Sequence, residues 1–335
     1  MIGARKSNPY YQGPKTDHFD GKLFFNPGGV APGSLRDVLK WQFTEKRARW
    51  PKRYESPHLN AKPEKRVENG DIVVTMVGHA TMLVQMDGVN LLTDPLWSER
   101  TSPLSFAGPK RRIEPGIVFD DLPPIDAVLL THNHYDHLDL ETLKRLRQDH
   151  DPLVVTPLGN DTIVKSAVPD MRIAVGDWGD TIELEQGLTL HFEPCHHWSA
   201  RGSTDRRMAL WAAFVIEGEA GRVYHIGDTG FHDGVNYREA RRKHGDFRLA
   251  LLPIGAYEPR WFMKPQHQNP EEAVAGLKLC GAAYAVGHHW GTVQLTNEGI
   301  EDPVHALHAA LEQCAIERER FRPLTAGEAW RIPES

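Results

Sequence analysis

The densest chemistry in the chain is the segment Thr131-His132-Asn133-His134-Tyr135-Asp136-His137. Imidazoles and carboxylates are natural ligands of zinc and related divalent ions. The segment directly follows the apolar run Ala127 to Leu130 and precedes a stretch with helical character. A loop leaving a buried strand end can hold such side chains on a rigid base. Four donors within six residues crowd a single ion. The spacing therefore divides them, His132 and His134 toward one metal, Asp136 and His137 toward another. Each ion then needs further ligands from elsewhere.

Later strand ends offer them. Glu193-Pro194-Cys195-His196-His197-Trp198, Gly227-Asp228-Thr229-Gly230 and Gly287-His288-His289-Trp290-Gly291 each follow a β-rich run. Taken singly, a Gly-Asp-Thr-Gly is commonly a turn and a His-Trp pair commonly a packing feature. The recurrence of His or Asp just past a strand carries the metal reading. Asp94, at another strand end, is a candidate to orient a ligand imidazole by accepting its second N–H. A plain turn role is its alternative. His79, between two strands, is a less specific candidate, with a merely buried, hydrogen-bonded residue as its alternative.

The elements that must position these groups are short. Strands are predicted at Ile72 to Val77, Thr81 to Met86 and Val89 to Thr93, with Asp87-Gly88 as a hairpin turn. Further strands are predicted at 127–130, 153–156, 171–175, 181–184, 188–192, 210–216, 222–226, 249–254 and 282–286. Helices are predicted at 34–49, 141–148, 160–167, 271–279 and 304–314. In the first of these, Ser34 is the N-cap, and Leu35, Val38, Leu39, Gln42 and Phe43 share a face. Trp41, Phe43 and Trp50 are expected to pack on the main body, with lipid contact as the alternative. The pattern is α/β, with packed sheets covered by helices.

Composition narrows the classes. The chain has 335 residues, with 39 Lys+Arg against 45 Asp+Glu, a net charge of −6. That balance argues against a general nucleic-acid binder, so no nucleic-acid partner is expected. Three cysteines without a Cys-x-x-Cys pair argue against a disulfide scaffold and fit a reducing, cytoplasmic setting. No secretory h-region or membrane-length apolar run is evident, which leaves a soluble protein with peripheral membrane contact open. Residues 1–66 are rich in Pro, Gly, aromatic and basic residues, and read as an extension packing on a catalytic domain at 67–335. Histidine is abundant, at 18 residues.

His132-Asn133-His134-Tyr135-Asp136-His137 matches the His-x-His-x-Asp-His signature of the metallo-β-lactamase superfamily, with His197, Asp228 and His289 following in order. The chain further resembles the N-acyl phosphatidylethanolamine phospholipase D family over about Leu35 to Gly327. The matching segments include Gly78-His79-Ala80-Thr81, Leu92-Thr93-Asp94-Pro95, Gly108-Pro109-Lys110-Arg111 and, most specifically, Pro253 to Lys264.

The resemblance implies an αββα sandwich with two Zn2+ ions at one edge, Mn2+ or Fe2+ being alternatives. It assigns His132, His134 and His197 to one ion, Asp136, His137 and His289 to the other, and Asp228 to a bridging, catalytic role. His197 and His289 are chosen within their doublets because the family's ligand precedes Trp. Gln266 and His267 match positions lining the phosphate site, and Tyr135 an active-site aromatic. His267 is also a candidate proton donor, with water as the alternative. The implied activity is phospholipase D-type cleavage of N-acyl phosphatidylethanolamine-like lipids by a metal-activated hydroxide. The products are phosphatidic acid and N-acylethanolamine. The family also suggests a homodimer. Competing readings are a lactonase, a cyclic phosphodiesterase and a non-catalytic metal-binding protein. An apolar substrate groove is expected from the N-terminal aromatics and from Trp97 to Phe106.

Overall fold

A computed structural model describes residues 7–185 and 187–334. The strands are β1 (Ile72–Gly78), β2 (Thr81–Met86), β3 (Val89–Thr93), β4 (Ala127–Leu129), β5 (Leu153–Pro157), β6 (Ile173–Gly176) and β7 (Thr181–Glu183). They continue as β8 (Thr189–Glu193), β9 (Ala213–Gly218), β10 (Gly221–His225), β11 (Leu249–Pro253), β12 (Tyr284–His288), β13 (Phe321–Arg322) and β14 (Ala329–Ile332). The α-helices are α1 (Leu35–Thr44), α2 (Leu140–Asp149), α3 (Asn160–Ala167), α4 (Val235–His244), α5 (Arg260–Met263), α6 (Pro270–Cys280) and α7 (Asp302–Gln313).

The strands form two seven-stranded sheets, in the orders β14-β1-β2-β3-β4-β5-β6 and β13-β12-β11-β10-β9-β8-β7. Each sheet is antiparallel in one half and parallel in the other. β14, β1, β2 and β3 pair antiparallel, whereas β3 through β6 run parallel. In the second sheet β7 through β10 are antiparallel and β10 through β13 parallel.

Alternation along the strands builds the layers. Val74, Val84, Leu129, Phe214, Val223 and Leu251 enter one core between the sheets. Their neighbours face outward: Leu83, Val128 and Leu130 pack with Leu143, Leu146 and Ile163 of α2 and α3. On the opposite outer face, Tyr224, Ala250 and Leu252 pack with Tyr237, Leu277 and Leu307 of α4, α6 and α7. The result is the expected αββα sandwich. Strands buried on both faces read as continuous apolar runs, which is why they were legible despite weak alternation.

Residues 7–66 lie against this body through specific contacts. Phe19 and Phe24 are wholly buried in the outer core. Trp41 donates from Nε1 to Asn297 Oδ1 at 2.9 Å, and Trp50 from Nε1 to the Glu298 carbonyl at 2.8 Å.

Three expectations change here. The first helix was expected to reach Arg49 but stops at Thr44, with Glu45 extended. Past that point Ala48 N–H donates to Asn297 O, and Trp50 is held as above, so tertiary bonds replace the helical ladder. Phe43 does not pack on the body: it is 85% exposed, as Leu35 and Leu39 are largely exposed beside it. Of the segment Trp97 to Phe106, Thr101 lines a cavity as expected, whereas Trp97 turns inward against Phe119 and donates to Ile117 O, and Phe106 is exposed.

Candidate metal centre

The donor-bearing loops leave neighbouring strand ends in both sheets. His132 follows β4, His197 follows β8, Asp228 follows β10 and His289 follows β12. Gly227 lets its turn approach Thr131: at φ +65°, an added Cβ would lie 2.9 Å from Thr131 Cγ2. At Gly255 an added Cβ would meet the His289 carbonyl oxygen at 2.1 Å. Three non-glycine residues here hold left-handed backbone, His79 (φ 58°), Asp94 (φ 35°) and His289 (φ 63°). Each such residue costs about 1–3 kcal/mol, which the surrounding packing must offset.

Two donor groups result. In the first, His134 Nδ1 lies 2.8 Å from His132 Nε2 and 3.1 Å from His197 Nε2. In the second, Asp136 Oδ2 lies 3.2 Å from His289 Nε2 and 3.5 Å from His137 Nε2. Asp228 Oδ2 joins them, at 3.6 Å from His197 Nε2, 3.3 Å from His137 Nε2 and 3.2 Å from His289 Nε2. The seven residues expected to hold metal therefore converge.

The doublets separate cleanly. His196 turns away to stack on His232 at 3.9 Å and bond Asn236, and His288 packs beside His225.

The supporting groups are equally specific. Asp94 is fully buried and takes Thr131 N–H on Oδ1, with Thr131 Oγ1 and His137 Nδ1 on Oδ2 at 2.7 and 2.8 Å. It orients His137, the role expected of it. His197 Nδ1 lies 3.0 Å from the Gln266 carbonyl, which accepts its proton. His79 stands closer to the chemistry than its sequence signal indicated. Its Nε2 lies 2.9 Å from Asp136 Oδ2, its ring 4.1 Å from that of His289, and its carbonyl accepts the His289 N–H. The signal for it was the break Gly78-His79 between two strands.

The electrostatics fit a cation. Burial pushes His132 and His197 well below the ordinary imidazole pKa, and His134 to about 4, so all three offer lone pairs at neutral pH. Ring nitrogens that close share either a proton or a cation. Burial alone would raise the carboxyls of Asp94, Asp136 and Asp228, but neighbouring histidines hold all three ionised, Asp94 at about 2. Burial would lower His289, yet Asp228 and Asp136 lift it to about 9. Three buried carboxylates demand compensating positive charge. His134 Nε2, His137 Nε2 and Asp228 Oδ1 are buried with no hydrogen-bond partner. The donor set therefore fits divalent metal ions.

A cavity of about 440 Å³ opens over the donors. His134, Asp136, Asp228 and His267 form its floor, and Val38, Trp41, Phe262, Met263 and Leu295 its apolar walls. Gln266 lines it while donating from Nε2 to Val30 O at 2.9 Å, with Oε1 free of partners. His267 Nδ1 lies 3.8 Å from Asp228 Oδ2, and burial lowers its pKa to about 4. Tyr135 lines the cavity beneath the Arg201 guanidinium, 3.6 Å from its ring centroid. Arg201 is fixed by bonds to the carbonyls of Asn133 and Leu138. The sequence reading missed it.

Residues 89–290 match the model of the beta-lactamase superfamily domain. The N-acyl-phosphatidylethanolamine-hydrolyzing phospholipase D 1 of Caenorhabditis elegans is 34% identical over 94% of this chain and 94% of its own length. The chain belongs to the N-acyl-phosphatidylethanolamine phospholipase D-like family. Within it, the mitochondrial N-acyl-phosphatidylethanolamine-hydrolyzing phospholipase D of Saccharomyces cerevisiae is 32% identical over 71% of this chain and 51% of its own length. An uncharacterized protein of Mycobacterium tuberculosis is 39% identical over 72% of this chain and 64% of its length. An isothiocyanate hydrolase from Delia radicum gut bacteria shares the fold, with TM-score 0.61 at 20% identity over 78% of this chain and all of its own. The chain is thus a metallo-β-lactamase-fold hydrolase related to the phospholipase D enzymes. Among the described residues, no helix is long and apolar enough to cross a membrane.

Proposed function

We propose that this family member hydrolyses a phosphodiester of the N-acyl phosphatidylethanolamine type, releasing phosphatidic acid and an N-acylethanolamine. The observation that carries the reading is the cavity itself. A floor of metal donors meets walls of Trp41, Val38, Phe262 and Met263, a match for a phosphate joined to acyl chains. The 34% relationship to a named N-acyl-phosphatidylethanolamine phospholipase D over nearly the whole chain points the same way.

His132, His134 and His197 would hold one zinc, and Asp136, His137 and His289 the other, with Asp228 between them. Two such ions would lower the pKa of a shared water and neutralise charge on the phosphoryl oxygens. The chain's residues do the rest. Asp94 locks the His137 tautomer, and the Gln266 carbonyl locks that of His197. Water oxygen adds to phosphorus, the bond from phosphorus to the ethanolamine oxygen breaks, and that oxygen takes a proton. His267 stays neutral near pH 7, so it positions the phosphate as a hydrogen-bonding group and water is the better source of that proton. Tyr135, held by Arg201, and Gln266 close the sides of the headgroup pocket.

Access is from a lipid surface. α1 sets Val38 and Trp41 toward the cavity and Leu35, Leu39 and Phe43 toward solvent. Phe106 and Trp261 are exposed as well. Incubating zinc-loaded protein with N-acyl phosphatidylethanolamine vesicles and identifying products by mass spectrometry tests the reading. Both products should form. Turnover of lactones or cyclic phosphodiesters alone, or of nothing, would reject it.

A further inference from the structure

We propose that His191, Glu217 and His244 form a second, exchangeable binding site for a zinc-class divalent cation, outside the catalytic centre. Three elements meet there. Leu190 and Phe192 of β8 enter the core between the sheets, so His191 and Glu193 face the other side. Phe214 and Ile216 of β9 enter the same core, which sets Glu217 on the His191 side. Because Thr189 pairs with Glu217 and His191 with Val215, His191 and Glu217 are diagonal neighbours. The last turn of α4 brings His244 over this face, with its ring 4.7 Å from that of His191.

Each of the three offers one ligand atom, and those atoms lie within 4.8 Å of one another. None of the three takes part in the donor groups around Asp136 and Asp228. All three are only partly buried, so an ion can enter from solvent. Two imidazoles and one carboxylate suit zinc, copper or nickel better than magnesium or calcium. Three protein ligands leave room for water, the arrangement of an open site. Burial and the nearby His244 lower the His191 pKa, which keeps its lone pair free near neutrality.

The surrounding charges set the strength. Glu193 accepts from Lys243 Nζ at 2.7 Å and pairs with His244 Nε2 at 2.9 Å. Arg222 pairs with Glu217 at 2.7 Å, and Thr181 Oγ1 lies 3.1 Å from His191 Nδ1. These contacts hold the ligands near their positions. Lys243 and Arg222 also oppose an incoming cation, so this site binds more weakly than the carboxylate-rich catalytic centre.

Protein loaded with its catalytic metal is equilibrated against buffered zinc, and bound zinc is read by elemental analysis. Wild type should take up one equivalent more than His191→Ala or His244→Ala, while all three turn over substrate alike. Equal zinc content in wild type and both variants overturns the proposal. Glu217→Gln keeps the shape and guards against a packing defect. It should retain the zinc-free Tm of wild type and weaken uptake of the extra ion about tenfold. Wild-type zinc uptake in that variant overturns the proposal as well.

Discussion

The floor and the mouth of the cavity are built in opposite ways. At the floor, buried Asp94, Asp136 and Asp228 face His137, His197 and His289 from loops after three different strands, and His134 Nε2, His137 Nε2 and Asp228 Oδ1 are left without hydrogen-bond partners. At the mouth, α1 lines the cavity with Val38 and Trp41 while its Leu35, Leu39 and Phe43 are exposed. The floor is set by paired charges and hydrogen-bond geometry, whereas the mouth is set by apolar area, which is graded. The floor defines a type of chemistry shared across a superfamily. The walls and mouth decide which molecule reaches it.

The first way to break this contrast is at its most constrained point. Asp228→Ala should lower turnover on the order of 1,000-fold for every substrate, the loss of several kcal/mol of charge stabilisation. Circular dichroism should show the fold retained. Near wild-type rates in a folded variant would remove Asp228 from the centre.

Asp94→Asn acts one step further out. It keeps the shape but removes the charge that holds His137. Metal affinity or activity should fall about 10–100-fold. An unchanged metal affinity and rate would show that His137 needs no such anchor.

His267→Gln touches substrate without touching the metal donors in the scheme. Loss of one hydrogen bond to a charged phosphate costs about 1.5–3 kcal/mol, so kcat/KM should fall at least about tenfold with metal content unchanged. A fall in bound zinc would instead make His267 a ligand, a role its 3.8 Å approach to Asp228 also permits.

At the mouth, Phe43→Ser should weaken binding to phospholipid vesicles by about tenfold, since a buried phenyl contributes roughly 1.5–3 kcal/mol. Hydrolysis of a short-chain, soluble phosphodiester should be unchanged. If that soluble reaction falls too, Phe43 belongs to the site and the contrast between floor and mouth fails.

The two regions also differed in how well the sequence disclosed them. The floor was legible because each donor sits just past a strand whose apolar run is visible, as Leu130 precedes Thr131-His132. His79 and Arg201 were harder to place. Their importance comes from long-range contacts, His79 to Asp136 and Arg201 to Asn133 and Leu138, which no local period records. α4 escaped because it is highly charged, with only Asn236, Tyr237 and Ala240 buried. β13 and β14 escaped because they are short, of two and four residues, and gain their pairing from distant strands. α1 was legible as a helix, and of the aromatics expected to pack, Trp41 and Trp50 do while Phe43 was misread because packing is the commoner fate of such a residue. Histidine abundance proved to mark more than one place. His225 and His288 pack beside each other with tilted rings, and His191 and His244 form their own cluster.

The most direct test joins floor and mouth in one assay. Zinc-loaded protein is given N-acyl phosphatidylethanolamine in vesicles, alongside a lactone and a cyclic phosphodiester, and the products are quantified by mass spectrometry. Phosphatidic acid and N-acylethanolamine should appear in equal amounts, disappear on chelation and return with added zinc. Fast lactone or cyclic phosphodiester turnover with no cleavage of the lipid would contradict the account.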